Sequence, residues 1–152
     1  MFREMRKTNR KLTTDVAFKV LEEAQVGVLG TISENNYPYT VFLNYVLVDK
    51  KIYFHCAKTG HKTDNILKNP NVSFSVYQNE SIDEKNFTTH YQSVTCFGQA
   101  RLVNNSKEIL IKLIEKYAKS NLSNGKDYID KGFQTTQIVE ITIEHISGKE
   151  SM

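Results

Sequence analysis

The stretch Ile52–Phe74, IYFHCAKTGHKTDNILKNPNVSF, constrains this chain more than any other. Ile52, Tyr53 and Phe54 are bulky strand formers. Thr59-Gly60 supplies a turn. His61 to Lys68 is long enough for about two helical turns, and Asn69-Pro70 ends them because a residue before proline avoids the helical region. Val72 to Tyr77 is apolar and β-prone again. The order is therefore strand, glycine turn, short helix, proline break, strand.

That order makes an anion site. The first amides of a helix have no internal partners, and the helix dipole favours negative charge there. Gly60 lets backbone approach a ligand closely. His61 adds a neutral-or-cationic donor and Lys62 a fixed cation, so a phosphate is the natural guest. The same residues also read as an ordinary turn with solvated basic side chains, since short glycine turns are common.

The rest of the chain supplies strands. Thr13 or Thr14 caps a helix running to about Ala24, with Val16, Ala17, Val20, Leu21 and Ala24 on one face. Val26–Ile32 reads as a buried strand, Ser33–Asn36 as a hairpin turn and Tyr39–Val48 as a second strand. Ile52–Cys56 completes an antiparallel meander. Gln78–Thr88 is polar and aperiodic, hence a loop. His90–Val103 is a long strand in which Gly98 marks a bulge or bend. Ser106 caps a helix from Lys107 to about Lys119. Asn121–Gly132 is turn-rich, Thr136–Ile146 alternates as a last strand, and Ser147–Met152 is a tail. The sum is a mainly β (α+β) chain: six antiparallel strands and a few flanking helices, closing into a small Greek-key barrel that removes the sheet edges.

The chain's 152 residues fit a single domain, 1–152, with Met1–Leu12 as a basic, solvated arm. The arm lacks the hydrophobic core of a secretory signal, and no apolar run approaches the ~20 residues of a membrane span. Cys56 and Cys96 both fall in strands and read as reduced, small hydrophobes, which points to the cytoplasm. A net charge of +3 without a basic stripe argues against nucleic acid and suits a small anion. The spacing of His55, Cys56, His61 and Cys96 matches no zinc pattern. GxSxG, GxGxxG and P-loop motifs are absent. If the chain is an enzyme, a cofactor carries the hard chemistry.

The segments YPYTVFLNYV, IYFHCAKTGHKTDNI and SVTCFGQARL, with the opening MFREMRK, resemble the nitroimidazole-resistance (Nim) type of the pyridoxamine 5′-phosphate oxidase-like, FMN-binding split-barrel family. The resemblance runs from Met1 to about Leu102 and is weaker beyond. It implies a split barrel, a homodimer and FMN at the subunit interface. By this matching, Tyr39, Thr40, Val41, Phe42, Leu43 and Asn44 lie along the flavin, with backbone groups meeting its polar edge. His55 and Cys56 end the next strand beside it. Gly60, His61 and Lys62 match the phosphate-binding turn, and Ser93 reaches the flavin from the partner subunit. Thr40 and Asn44 stand near positions where pyridoxamine-phosphate oxidases carry Arg and Lys, and the chain has no Trp; the Nim branch is the better match. The implied activity is FMN-dependent reduction of a nitroaromatic such as a 5-nitroimidazole, with NAD(P)H or another donor recharging the flavin. His61, or else His55, supplies the proton. The alternative is a flavin- or haem-binding carrier or sensor, for which His55, His61 and His90 are candidate axial ligands.

Overall fold

Alternation along the strands sets the core. In the computed structural model, which describes all residues 1–152, Leu29 and Thr31 point inward from β1 (Gly27–Ile32). Val72, Phe74 and Val76 do so from β5 (Asn71–Asp83), and Val94, Cys96 and Ala100 from β6 (Thr88–Val103). With β2 (Pro38–Leu43), β3 (Val46–Val48), β4 (Lys51–Ala57) and β7 (Thr136–Ser151) they form one antiparallel sheet of order β2-β1-β5-β6-β7-β4-β3. Within it β5, β6 and β7 lie side by side and β4 returns beside β7, a Greek-key set.

β2 and β3 occupy opposite edges of this sheet, yet only Asn44 and Tyr45 separate them in the chain. Six strand spacings would hold the edges of a flat sheet about 28 Å apart. Three residue steps reach only about 11 Å. The sheet must therefore roll up. No ladder joins β2 to β3, so the barrel stays split along that seam.

This corrects the expected six-stranded, closed barrel and its meander: there are seven strands, and the run 39–48 divides into two that pair at opposite edges. The break has a physical cause at Tyr45. Its side chain is fully buried and its hydroxyl donates to the Leu21 carbonyl. Its backbone N–H donates to the Tyr117 hydroxyl at 3.0 Å, and that hydroxyl also lies 3.0 Å from the Tyr45 carbonyl and 2.8 Å from that of Gln25. A side chain thus takes the backbone groups a ladder would use.

Four helices flank the sheet. α1 (Thr14–Glu23) is capped by Thr13 and buries Ala17, Val20 and Leu21. α2 (His61–Lys68) follows Gly60 and buries Thr63, Asn65 and Ile66. α3 (Lys107–Tyr117) is capped by Ser106, and α4 (Leu122–Gly132) buries Ile129. α4 occupies the stretch expected to be irregular; its glycines lower helix propensity, but Gly125 is packed so closely on Ile114 that a β-carbon there would lie 2.6 Å from it.

Other expectations shift at their ends. The loop expected at 78–88 is mostly a β5–β6 arm, irregular between Gln78 and Ser81 and turned at Glu84–Phe87. The expected tail continues β7 to Ser151, paired with β6 throughout. The predicted bulge is present: the β6–β7 register shifts between Phe97 and Gly98, where any β-carbon would collide with the Thr142 carbonyl. The basic arm is mostly exposed but tethered. Leu12 N–H donates to the Gly148 carbonyl at 2.9 Å, and Phe2 stacks on Phe97 and His145.

Apolar packing falls into two clusters. The larger fills the barrel, with Leu21, Tyr45, Ile52, Phe54 and Phe74 at its centre. The smaller joins Val46 and Ile138 to Leu110, Leu113 and Ile129, so α3 and α4 cover the outer face of β3, β4 and β7.

Candidate functional site

The seam of the barrel is where the site residues gather. β2 is an edge strand bonded only to β1, so its other edge presents unpaired backbone N–H and C=O groups. Across the seam, β3 pairs with β4 only from Lys51 to Tyr53, which leaves that edge of Phe54–Ala57 without a strand. The chain then turns through Lys58–Gly60 into α2.

Gly60 has φ +155° and ψ 176°, a conformation reserved for glycine, and a β-carbon built there would meet nothing within 4 Å. Backbone at this point is bare on its outer side. α1 and α3 each carry a side-chain cap from Thr13 and Ser106, whereas α2 has none. The Thr63 hydroxyl donates back to the Gly60 carbonyl at 2.9 Å instead. The first amides of α2 are thus left for an external acceptor, and the positive end of the helix dipole faces outward with them. Lys62 is half-buried beside them; its charge opposes the burial that pushes the Cys56 thiol pKa up.

His61 does not stand free. Its Nε2 lies 3.1 Å from Ser33 Oγ, and its ring lies against that of Tyr39 with centroids 3.9 Å apart. Both contacts border an open polar groove of about 530 Å³ between the β1–β2 turn and α2.

β2 splits the six residues expected along the cofactor. Tyr39, Val41 and Leu43 face the interior side; Thr40 and Phe42 face the bare outer side, Phe42 being 75% exposed. Asn44 follows β2 and spends its amide on the Gln25 carbonyl at 3.2 Å. His55 and Cys56 point to opposite faces of β4, by alternation. His55 borders a pocket of about 180 Å³ lined by Leu110, Leu113, Ile114, Tyr128 and Ile129, where burial pushes its pKa down. Cys56 packs beside the barrel core, and neither it nor Cys96 forms a disulfide.

Ser93 lies away from the α2 end of the sheet. It pairs with Tyr77, six residues along β5 from Asn71, which shares the α2 end of the sheet. At ~3.3 Å per residue that is about 20 Å. It shares an open groove with Val28, Phe42 and Tyr77 instead.

Sequence reasoning missed Thr31, Ser33 and Asn65, which are buried behind His61, and Tyr117, which pins the seam. Thr31 and Ser33 sit at alternate positions continuous with inward-facing Leu29. Two hydroxyls where apolar residues are due is a readable signal of a polar network.

With this geometry in place the comparisons are direct. The model of the pyridoxamine 5′-phosphate oxidase family matches residues 13–150, and the chain belongs to that family. It is similar in structure to a candidate 5-nitroimidazole antibiotic resistance protein from Bacteroides thetaiotaomicron, at 17% identity and TM-score 0.77, covering 92% of this chain and 86% of that one. A conserved hypothetical protein of Mycobacterium tuberculosis gives TM-score 0.81 at 17% identity, covering 97% and 90%. An FAD-binding protein from Mesorhizobium loti gives TM-score 0.67 at 26% identity, covering 94% and 98%. No curated protein matches the sequence.

Proposed function

We propose that the chain is a flavin-dependent oxidoreductase of the Nim type, working as a homodimer on a nitroaromatic such as a 5-nitroimidazole. The observation that carries the reading is the uncapped, open start of α2, with Gly60 bare and Lys62 beside it, in a member of this family. This cradle fits a monophosphate such as that of FMN. The N–H groups at the start of α2 and the Lys62 ammonium would hold the phosphate. The free edge of β2, from Tyr39 to Leu43, would meet the polar edge of the ring system. A bound flavin supplies hydride transfer, which no group of side chains here offers. His61 is the proton donor in this reading, with His55 the alternative.

The dimer rests on two features. The outer face of β2, β1, β5 and β6 leaves Phe42, Tyr77 and Phe97 exposed, and Ser93 opens on that same face into a groove with Phe42 rather than toward the α2 cradle. An isologous contact would cover both. The FAD-binding relative favours a second reading, in which the same cradle takes the larger flavin.

The test is an absorption spectrum of purified protein, mass identification of the released cofactor, and titration of apoprotein with FMN and FAD. NAD(P)H-driven loss of a 5-nitroimidazole under anaerobic conditions tests the activity. A purified protein that ignores both flavins would end the proposal, and flavin binding without turnover would favour a carrier.

A further inference from the structure

Behind His61 runs a chain of hydrogen bonds with a readable direction. The Asn65 side-chain amide donates to Thr31 Oγ1 at 2.9 Å and to Ser33 Oγ at 3.3 Å. Thr31 passes its own proton to the Tyr39 carbonyl at 3.4 Å. Asn65 and Thr31 are 4% and 2% exposed, and Ser33 is 9% exposed. Both protons of the Asn65 amide are therefore committed, and Ser33 already accepts one of them. The remaining bond of Ser33 Oγ is to His61 Nε2, at 3.1 Å.

A hydroxyl that accepts from Asn65 and also from the imidazole would have to turn its own proton out to the groove, away from the network. Donation from Ser33 to Nε2 leaves nothing unpaired. In neutral histidine one ring nitrogen donates and the other accepts, and the partner of one sets the other. Nε2 as acceptor puts the ring proton on Nδ1, the opposite of the tautomer that free histidine favours in water.

We infer that Asn65 and Ser33 are positioning residues that hold neutral His61 in its Nδ1–H form, so that it offers a fixed N–H donor at the α2 cradle without carrying a charge. The ring plane is fixed independently by Tyr39. The tautomer stands on geometry alone; its use toward a flavin phosphate rests on the function proposed above.

The experiment is nitrogen-15 NMR of the ring nitrogens of His61 in the apoprotein at alkaline pH, assigned with His61→Gln. The expected result is Nδ1–H in the wild type. Asn65→Asp keeps the shape and reverses the direction: an acceptor at 65 draws the Ser33 proton, and His61 should switch to Nε2–H. Ser33→Ala should release the preference, and Ser33→Thr should restore it. Nε2–H in the wild-type protein, or a tautomer unmoved by Ser33→Ala, would overturn the inference whether or not flavin binds. In a separate arm, Ser33→Ala should weaken FMN binding about three- to tenfold, the scale of one hydrogen bond. Loss of the flavin effect with the tautomer intact would count against the flavin reading alone.

Discussion

The two outer faces of the sheet are built differently. Over β3, β4 and β7, helices α3 and α4 lie on Val46 and Ile138, and the apolar surface is sealed within the chain. Over β2, β1, β5 and β6 nothing of comparable size lies, and Phe42, Tyr77 and Phe97 remain open to solvent. Phe2 of the arm reaches this face, against Phe97 and His145. One sheet thus has a half covered by its own helices and a half whose large apolar side chains stay exposed. The candidate cofactor cradle sits at one end of the exposed half, and Ser93 at the other.

The difference can be broken by truncating one side chain on each face. Leu113→Ala opens a hole in the covered face, where Leu113 is 5% exposed, and should lower unfolding free energy by about 2–4 kcal/mol. Phe42→Ala, though a larger truncation, should change the stability of the isolated chain by about 0.5 kcal/mol or less. Chemical denaturation at low protein concentration reads both. Equal losses would mean that the two faces are equally self-sufficient.

Association should show the reverse order. Phe42→Glu places a carboxylate on the bare face, and should cost about 2 kcal/mol or more of dimerisation, the scale of an interface hot spot. Light scattering should then report close to 17.5 kDa, against an expected value of about twice that for the wild type. A wild-type protein that is monomeric with full flavin occupancy would remove the reason for assigning Ser93 to a partner.

The cradle gives a sharper, smaller contrast. Lys62→Ala should weaken FMN binding by about 10- to 150-fold, or about 1.5–3 kcal/mol, and less in high salt. Lys68→Ala, at the far end of α2, removes only an exposed ion pair with Glu34 at 2.7 Å and should leave affinity nearly intact. Titration of apoprotein with FMN by fluorescence quenching distinguishes them. Equal losses would indicate a diffuse basic surface.

How much of this was legible follows from where the signals were local. Thr13, Gly60, Pro70, Gly98 and Ser106 each impose a backbone event on their neighbours, and each element boundary they mark is found where the sequence puts it. The break at Asn44-Tyr45 was invisible because its cause, Tyr117, is 72 residues away. α4 was invisible because Ile129 is its one large buried side chain, and the helix is held by packing rather than by propensity. In the site, the glycine turn announces the cradle by residue type alone. The network behind His61 does not, because Asn65 reads as a solvated helix residue until the roll of the sheet brings Thr31 and Ser33 against it.

The smallest effect probes the covered half, which carries one flaw. Lys116, on α3, sets its ammonium 3.9 Å over the Tyr45 ring, buried and without a hydrogen-bond partner. Burial pushes its pKa from the ordinary 10.5 down to about 8, while Glu22 pulls weakly the other way. The sign follows from proton counts. Between about pH 8 and 10.5 the unfolded chain binds this proton and the folded chain does not, so the contribution of Lys116 to stability rises with pH through that window. From about pH 9 this gain is opposed, because Cys96, pushed from 9 up to about 12 by burial, keeps its proton only when folded, and above pH 10 Tyr53, pushed up to about 12 by burial and Glu140, does the same. Lys116 is only half-buried, so screening should hold the gain to about 1 kcal/mol or less. Lys116→Met fills the same space without a charge and should abolish the rise between pH 8 and 9, leaving only the decline above it. Thermal melts of both proteins across that range decide the matter. A rise that survives in the methionine variant would assign the titration to another group and leave Lys116 an ordinary cation over an aromatic ring.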